Sequence, residues 1–359
     1  MKLGFGLYRH MLDEAHYDFA RQCGATHLVV HLVDYFNQSE QKTRDQPIGG
    51  LNGWGVAGDP DKIWEVADLQ RLKAQIEARG LVWYAIENFD PAHWHDILLD
   101  GPKRAKQIEQ VKQMIRNVGE AGIAVIGYNF SLAGVAGRVT GHTARGGAEC
   151  VIMDGIEETS TAPIRQGMVW NMWHDKPGEG FLPEISSEEL WRRLERFLEE
   201  VVPIAEQAGV RLAAHPDDPP LERVRGQPRL VNQPHLYDRL LAAKPSYHNS
   251  IEMCLGTIQE MTEGDAYEAA KKYSRFGDKG LNMAPYIHLR NAVGKVPHYR
   301  ETFIDEGDID VMRVMRVLKE NNFDGVIIPD HAPQMACDAP WYAGMAFAMG
   351  YLRAAMQAA

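Results

Sequence analysis

Val210-Arg211-Leu212-Ala213-Ala214-His215-Pro216-Asp217-Asp218-Pro219-Pro220 is an apolar run that stops at a histidine and breaks into a proline-rich turn. A short apolar run bounded by turn residues reads as a buried β-strand, and proline cannot continue the ladder. Three further runs end the same way. Ser250-Ile251-Glu252-Met253-Cys254 leads into Leu255-Gly256, and Pro285-Tyr286-Ile287-His288 into Leu289-Arg290-Asn291. Gly325-Val326-Ile327-Ile328-Pro329-Asp330 leads into His331. Imidazole, thiolate and carboxylate are ligands of first-row divalent metals. Parallel strands closed into a barrel bring their C-terminal ends to one face, where such barrels keep their chemistry. His215, Cys254, His288 and Asp330 are therefore expected to share one divalent ion. Each alone has a blander reading: a hydrogen-bonding histidine, a small buried cysteine, a helix-capping aspartate.

Working outward, the same strand pattern recurs at Leu3–Gly6, His27–His31, Leu81–Ile86 and Ile123–Tyr128, which makes eight strands. Amphipathic stretches alternate with them: Asp13–Cys23, Asp61–Arg79, Pro102–Ala121, Ser187–Ala208, Gln233–Ala243, Asp265–Ser274, Asp310–Asn321 and Trp341–Gln357. Several stop at a glycine, as helices do. Eight of each in alternation predicts an α/β fold, a (β/α)8 TIM barrel, as one domain over residues 1–359. Two connections are too long to be plain turns. Residues 36–60 follow the second strand. The 131–184 insertion follows the fourth and carries Arg138, His142, Arg145, Trp170, Asn171 and His174. Long βα loops lie over the active face, so both are lid candidates, with subunit contact or surface decoration as the alternative.

The 359 residues are 45% hydrophobic and 24% charged, ordinary for a globular chain with a large core. A formal net charge of -11 argues against a nucleic-acid partner, which needs a basic footprint. It leaves room for an anionic small molecule held by a metal and a few local arginines. The four cysteines are widely spaced, with no CxxC pair, so neither a disulfide framework nor a zinc ribbon is indicated. No basic-then-apolar leader and no run of about 18 apolar residues is present, so a cytoplasmic protein without a membrane partner is expected. Assembly as a homo-oligomer is expected as well.

Around the proposed ligands stand further candidates. His331 is adjacent to Asp330 at a strand exit, where a turn in the backbone would aim it at the substrate as general acid or base. Arg290 and Asn291 follow His288 and suit a carboxylate and hydroxyls, the guanidinium as a bidentate fork. Arg138, Arg145 and Arg9 are the next cations to consider. Tyr128, Asn129 and Glu87 end earlier strands and are candidate substrate contacts. Asp217 or Asp218 could orient His215 through a hydrogen bond or simply shape the turn.

These segments resemble those of a known family. Ala214-His215-Pro216-Asp217-Asp218-Pro219-Pro220, Met253-Cys254-Leu255-Gly256-Thr257, His288-Leu289-Arg290-Asn291 and Pro329-Asp330-His331 are similar to signature segments of the mannonate dehydratases. Residues 121–130 are similar to that family's fourth-strand segment, and the order of the segments is the same. The resemblance implies a xylose-isomerase-like barrel with a divalent metal, commonly manganese. It implies dehydration of D-mannonate to 2-keto-3-deoxy-D-gluconate, a small sugar-acid substrate. The family's ligands fall on His215, Cys254, His288 and Asp330, its catalytic histidine on His331, and a downstream catalytic tyrosine on Tyr342. The chain departs from the family pattern at Cys254-Leu255-Gly256-Thr257, where Cys-Thr-Gly-Ser is usual, and at Asp330-His331-Ala332, where Asp-His-Gly is usual. It also departs at Trp341-Tyr342, at Phe5-Gly6-Leu7-Tyr8-Arg9 and through the 131–184 insertion. All lie near the expected pocket and bear on which sugar acid is taken.

The chemistry fits the residues. A proton beside a carboxylate is weakly acidic, and a metal there would stabilise the anion formed on its loss. The departing hydroxyl needs an acid, supplied by an imidazole with a phenol or by one imidazole alternating its protonation state. A thiolate ligand favours Zn²⁺ or Fe²⁺ over Mn²⁺, with Mg²⁺ a further option. The alternatives are a dehydratase of another aldonate, a sugar isomerase or epimerase, and a non-catalytic sugar-acid-binding barrel. Isomerases of this kind use more carboxylate ligands than the one present here.

Overall fold

The computed structural model describes residues 1–37 and 51–359. Part of the 36–60 connection therefore lies outside the described residues. Eight parallel strands close into a barrel in sequence order. They are β1 (Lys2–Leu7), β2 (His27–His31), β3 (Val82–Glu87), β4 (Val125–Tyr128), β5 (Arg211–Ala214), β6 (Asn249–Cys254), β7 (Tyr286–His288) and β8 (Val326–Ile328). The longer helices of the described residues, one after each strand, are α1 (Glu14–Gln22), α2 (Val66–Glu77), α3 (Arg104–Glu120), α4 (Ser187–Ala208), α5 (Leu236–Ala243), α6 (Ala266–Ser274), α7 (Val311–Glu320) and α8 (Pro340–Ala358). The (β/α)8 expectation is borne out.

The boundaries follow local chemistry. Ser186 caps α4 by accepting from the Glu189 amide at 3.1 Å, and Asp310 caps α7 by accepting from Arg313 at 3.0 Å. Such caps stabilise a helix end by about 1 kcal/mol. Gly209 ends α4 in the left-handed region at φ 70°, a conformation that favours glycine. Period-2 alternation then sorts the strand side chains. Val29, Ala85, Val125, Ala213, Tyr286, Val326 and Ile328 pack together inside the barrel. Their neighbours along each strand, such as Leu28, Ile86, Ile126 and Leu212, join the layer between sheet and helices.

Two excursions rise from the C-terminal face. Val139–Gly141 and Cys150–Asp154 in the 131–184 insertion pair with each other. A hairpin after β7, Asn291–Lys295 and His298–Thr302, adds to Cys150–Asp154 to make a four-stranded antiparallel sheet. Met172–Trp173 of the insertion also pairs with Gly55–Val56 of the 36–60 connection. This hairpin lies outside the eight strands expected from the sequence, and it carries a residue of the site.

Candidate active site

Strand register brings the proposed metal donors together. Cys254 lies opposite His288 on β6 and β7, and His288 lies opposite Ile328 on β8, two residues before Asp330. His215 leaves β5, its amide bonded to the Tyr128 carbonyl at 2.8 Å. One ligand atom from each of His215, Cys254 and His288 falls within 4.8 Å of the others. Asp330 stands beside them, Oδ1 3.8 Å from His288 Nδ1 and Oδ2 3.8 Å from Cys254 Sγ. Bonds of about 2.0–2.3 Å hold the ligand atoms of one ion roughly 3–4 Å apart, so the spacing fits a first-row divalent metal.

The protonation states fit as well. Burial pushes the Cys254 thiol up, but the Arg290 guanidinium and hydrogen bonds with His215 and His288 outweigh it and bring it down to about 5. Cys254 Sγ also accepts from Thr257 Oγ1 at 3.1 Å. It is therefore a thiolate at neutral pH, the form a metal needs. Burial disfavours protonation of His215, yet Glu252 and Cys254 together raise it to about 9. A metal arriving here must displace protons from imidazole. His215 Nδ1 sits 2.6 Å from the Pro216 carbonyl, which leaves Nε2 for the ion. Neither neighbouring aspartate orients this ring. Asp217 instead accepts from the Leu230 and Val231 amides and from Arg229, which shapes the loop.

Beneath the donors lies a pair of carboxylates. His288 Nε2 is 3.2 Å from Glu87 Oε2 and 3.0 Å from Glu252 Oε1. Glu252 is fully buried; burial and the neighbouring Glu87 raise it to about 8. Glu87 thus orients a proposed ligand histidine and is also a pocket wall. Glu252 was absent from the sequence-derived candidates, although it stands two residues before Cys254 and so on the same face of β6. Gly127 makes room for this arrangement: a Cβ there would lie 2.0 Å from Tyr286 Oη and 2.5 Å from Glu252 Oε2. Gly127→Ala is therefore expected to push Glu252 from under His288. The expected cost is about 1–3 kcal/mol of stability, read by urea denaturation, and about tenfold in metal affinity. Unchanged values of both would show that the pocket floor yields freely.

Beside the donors, Arg290 organises a buried ion cluster. Nη1 donates to Cys254 Sγ at 2.9 Å and Asp330 Oδ2 at 2.6 Å. Nη2 donates to Asp218, Thr257 and both Glu260 oxygens at 3.1–3.2 Å, and Nε lies 3.2 Å from Glu301 Oε1. This corrects the expectation that Arg290 forks a substrate carboxylate. The side chain is 1% exposed, both Nη groups are spent on protein partners, and it does not line the pocket. Its removal would leave several buried carboxylates uncompensated. Arg290→Met is expected to cost about 3–5 kcal/mol, measured as a lowered denaturation midpoint.

His331 is held from both sides. Nδ1 is 3.0 Å from Glu301 and Nε2 is 3.1 Å from Asp330 Oδ1. Burial works against its charge, but Asp330 and Glu301 prevail and raise its pKa. Glu301 comes from the unforeseen hairpin. Four other expectations meet different outcomes. Asn129 lines the pocket, its Oδ1 accepting from Trp170 Nε1 at 3.2 Å. Tyr128 turns outward, packing on Trp94 and Phe197 in the helix layer. Asn291 spends its amide on the Ile304 and Ile309 carbonyls and the Ile309 amide, so it braces the hairpin instead of facing substrate. Tyr342 is 36% exposed and its hydroxyl meets His16 Nε2 at 3.0 Å on α1. It does not line the pocket, whereas its neighbour Trp341 does.

A barrel that gathers imidazole, thiolate and carboxylate donors on its C-terminal face, next to a doubly held histidine, has the architecture of a metal-site enzyme. The family model for D-mannonate dehydratase (UxuA) matches residues 1–358. A mannonate dehydratase of Streptococcus pneumoniae (strain 70585) is 31% identical over 281 residues, 75% of each chain. One from Thermotoga neapolitana is 29% identical over 290 residues, covering 75% of this chain and 78% of that one. The crystal structure of mannonate dehydratase from Streptococcus suis serotype 2 superposes with a TM-score of 0.76 at 26% identity, over 100% of this chain and 93% of that one. A D-psicose 3-epimerase of Clostridium cellulolyticum H10 shares the barrel alone, with a TM-score of 0.56 at 11% identity. The chain belongs to the D-mannonate dehydratase family and is a hydro-lyase. Among the described residues no helix is long and apolar enough to cross a membrane.

Proposed function

We propose that this chain dehydrates a sugar acid, D-mannonate to 2-keto-3-deoxy-D-gluconate plus water, with a divalent ion held by His215, Cys254, His288 and Asp330. The observation that carries the reading is one pocket lined by His215, His288 and Asp330 and by His331, which is not needed as a ligand. Such an ion would supply Lewis-acid stabilisation of negative charge developing beside the substrate carboxylate. A donor set with one thiolate accommodates Mn²⁺, Fe²⁺ or Zn²⁺.

The protein's own part is proton handling and exclusion of water. With Tyr342 outside the pocket, the single-imidazole version of the chemistry is favoured. His331 takes the proton from C2 of the acid and returns it to the hydroxyl leaving C3. The C2–H and C3–O bonds break, water departs, and the resulting enol tautomerises to the 2-keto acid. Glu301 on Nδ1 stabilises the imidazolium that forms between the two transfers, and Nε2, the nitrogen on the Asp330 side, is the one that takes and returns the proton. Aromatic side chains, Tyr8, Trp54 and Trp170 among them, wall the pocket and keep the site dry.

The test is a screen of purified chain against aldonates and uronates with Mn²⁺, Fe²⁺, Zn²⁺ and Mg²⁺, read by product mass. Loss of one water from D-mannonate, dependent on metal, is the expected result. Turnover of another aldonate in preference would move the substrate assignment. Ketose–aldose exchange without loss of water would replace dehydration with isomerisation.

A further inference from the structure

With Arg290 committed below the donor set, the pocket needs another way to hold an acid. Among the described residues that line it, Arg138 is the one arginine, and no lysine lines it. Arg145 lies apart on the surface, paired with Asp305 at 2.8 Å, and Arg9 donates to the Leu32 carbonyl from an exposed position.

Arg138 differs from the other buried guanidiniums of this face in how few hydrogen bonds its Nη groups make. Arg290 makes hydrogen bonds to five residues, and Arg229 is spread over Ser131, Asp217 and the Asp218 carbonyl. Arg138 is 3% exposed and makes a single hydrogen bond, Nη1 to Asp218 Oδ2 at 2.9 Å. A guanidinium has five N–H donors; Nε is buried without a hydrogen-bond partner in all three arginines, but in Arg138 Nη2 too makes no hydrogen bond among the described residues. Its charge is also incompletely answered. Asp218 is shared with Arg290 at 3.2 Å, and Glu301 stands 3.7 Å off. Buried donors are normally satisfied, so an unspent guanidinium in a pocket wall is a place for an incoming acceptor.

The mounting is firm enough for recognition. Arg138 stands just before the Val139–Gly141 strand of the four-stranded sheet. The same insertion contributes Trp170, whose indole donates to Asn129 and packs on Tyr35 and Trp54. Strand and aromatic wall are thus fixed relative to the barrel.

We propose that Arg138 takes the carboxylate of the substrate, so that the 131–184 insertion supplies the acid specificity of a barrel whose own arginine holds the ligand cluster. The inference rests on the sugar-acid reading above and names the residue that recognises the acid. Arg138 also answers Asp218, but Arg290 remains to do so in its absence, and the Arg138→Gln variant is expected to fold.

The experiment is calorimetric binding to the metal-loaded full chain. D-Mannonate and D-gluconate are compared with D-mannitol and D-glucitol, the matched polyols without a carboxylate, in wild type, Arg138→Gln and Arg138→Lys. Wild type should prefer each acid to its polyol. Arg138→Gln should lose about ten- to hundredfold of acid affinity, with polyol binding and metal content unchanged. Arg138→Lys should fall between, since it keeps the charge and loses the fork. A merely structural tie to Asp218 would weaken acid and polyol alike, and that outcome overturns the proposal. So does wild-type acid affinity in Arg138→Gln or, should that variant fail to fold, in Arg138→Lys. If D-mannonate is bound but not dehydrated while the acid preference depends on Arg138, the assigned reaction fails and the carboxylate assignment stands.

Discussion

Cys254→Ala is expected to empty the metal site while leaving the barrel folded. Cys254 is wholly buried between His215 and His288, and its sulfur is the one soft donor of the set. Loss of groups that merely orient metal ligands commonly costs 10–100-fold in affinity, and loss of a ligand should exceed about 100-fold. Dialysed protein assayed by elemental analysis should hold close to one divalent ion per wild-type chain and far less per variant. His288→Ala should behave alike. Full metal retention in both variants would remove the site from the protein.

The metal-free protein gives an independent view of the same sulfur. The thiol is lowered from 9.0 to about 5, so the folded state favours the thiolate. The stabilisation is fully present above pH 9, shrinks as pH falls below it, and is gone once pH drops through about 5. An ultraviolet thiolate titration should therefore show a midpoint near pH 5 that vanishes in Cys254→Ala. His215 works in the opposite sense, raised from 6.5 to about 9. Its protonated form stabilises the metal-free protein fully below pH 6.5, and that contribution is lost as pH rises through about 9. Metal uptake at neutral pH should consequently release protons into an unbuffered solution.

The gathering of His215, Cys254, His288 and Asp330 at strand ends was legible in the sequence because two strong signals coincide there. Apolar runs mark the strands, and Pro216, Gly256 and Pro329 lie just beyond their ends. What was not legible depends on direction and on distant pairing. Tyr128 and Asn129 are successive residues, so one must turn outward if the other turns inward. Trp341 and Tyr342 differ by about 100° around α8, which sends the indole to the pocket and the phenol to α1. Asn291 looked like a polar loop residue, but the segment that follows the hairpin it opens consumes its side chain through Ile304 and Ile309. That hairpin owes its place to pairing between His298–Thr302 and Cys150–Asp154, strands nearly 150 residues apart. Nothing local to Glu301 announces the partner, and so its contact with His331 could not be read. Glu252 is a different kind of miss. Period-2 alternation from Cys254 was sufficient to place it inward, beneath His288.

His331→Asn should keep the metal and lose turnover by about 10²–10⁴-fold, the usual contribution of a positioned acid or base. Asparagine retains size and hydrogen-bonding capacity, so Asp330 and Glu301 keep a polar neighbour and the site should not collapse. What disappears is a group that can both accept and deliver a proton. The imidazole is well mounted for this: one nitrogen faces Glu301, the other faces Asp330, and the ring lines the pocket. Glu301→Gln separates proton transfer from mere packing. It keeps the shape of the contact and removes a charge that raises the His331 pKa. The imidazolium should then give up its proton at lower pH, and the His331-dependent limb of the pH–rate profile should move to lower pH. A packing role predicts no such displacement. Near-normal turnover in metal-replete His331→Asn would take this residue out of the chemistry and leave Asp330 and Glu301 to be explained as structure alone.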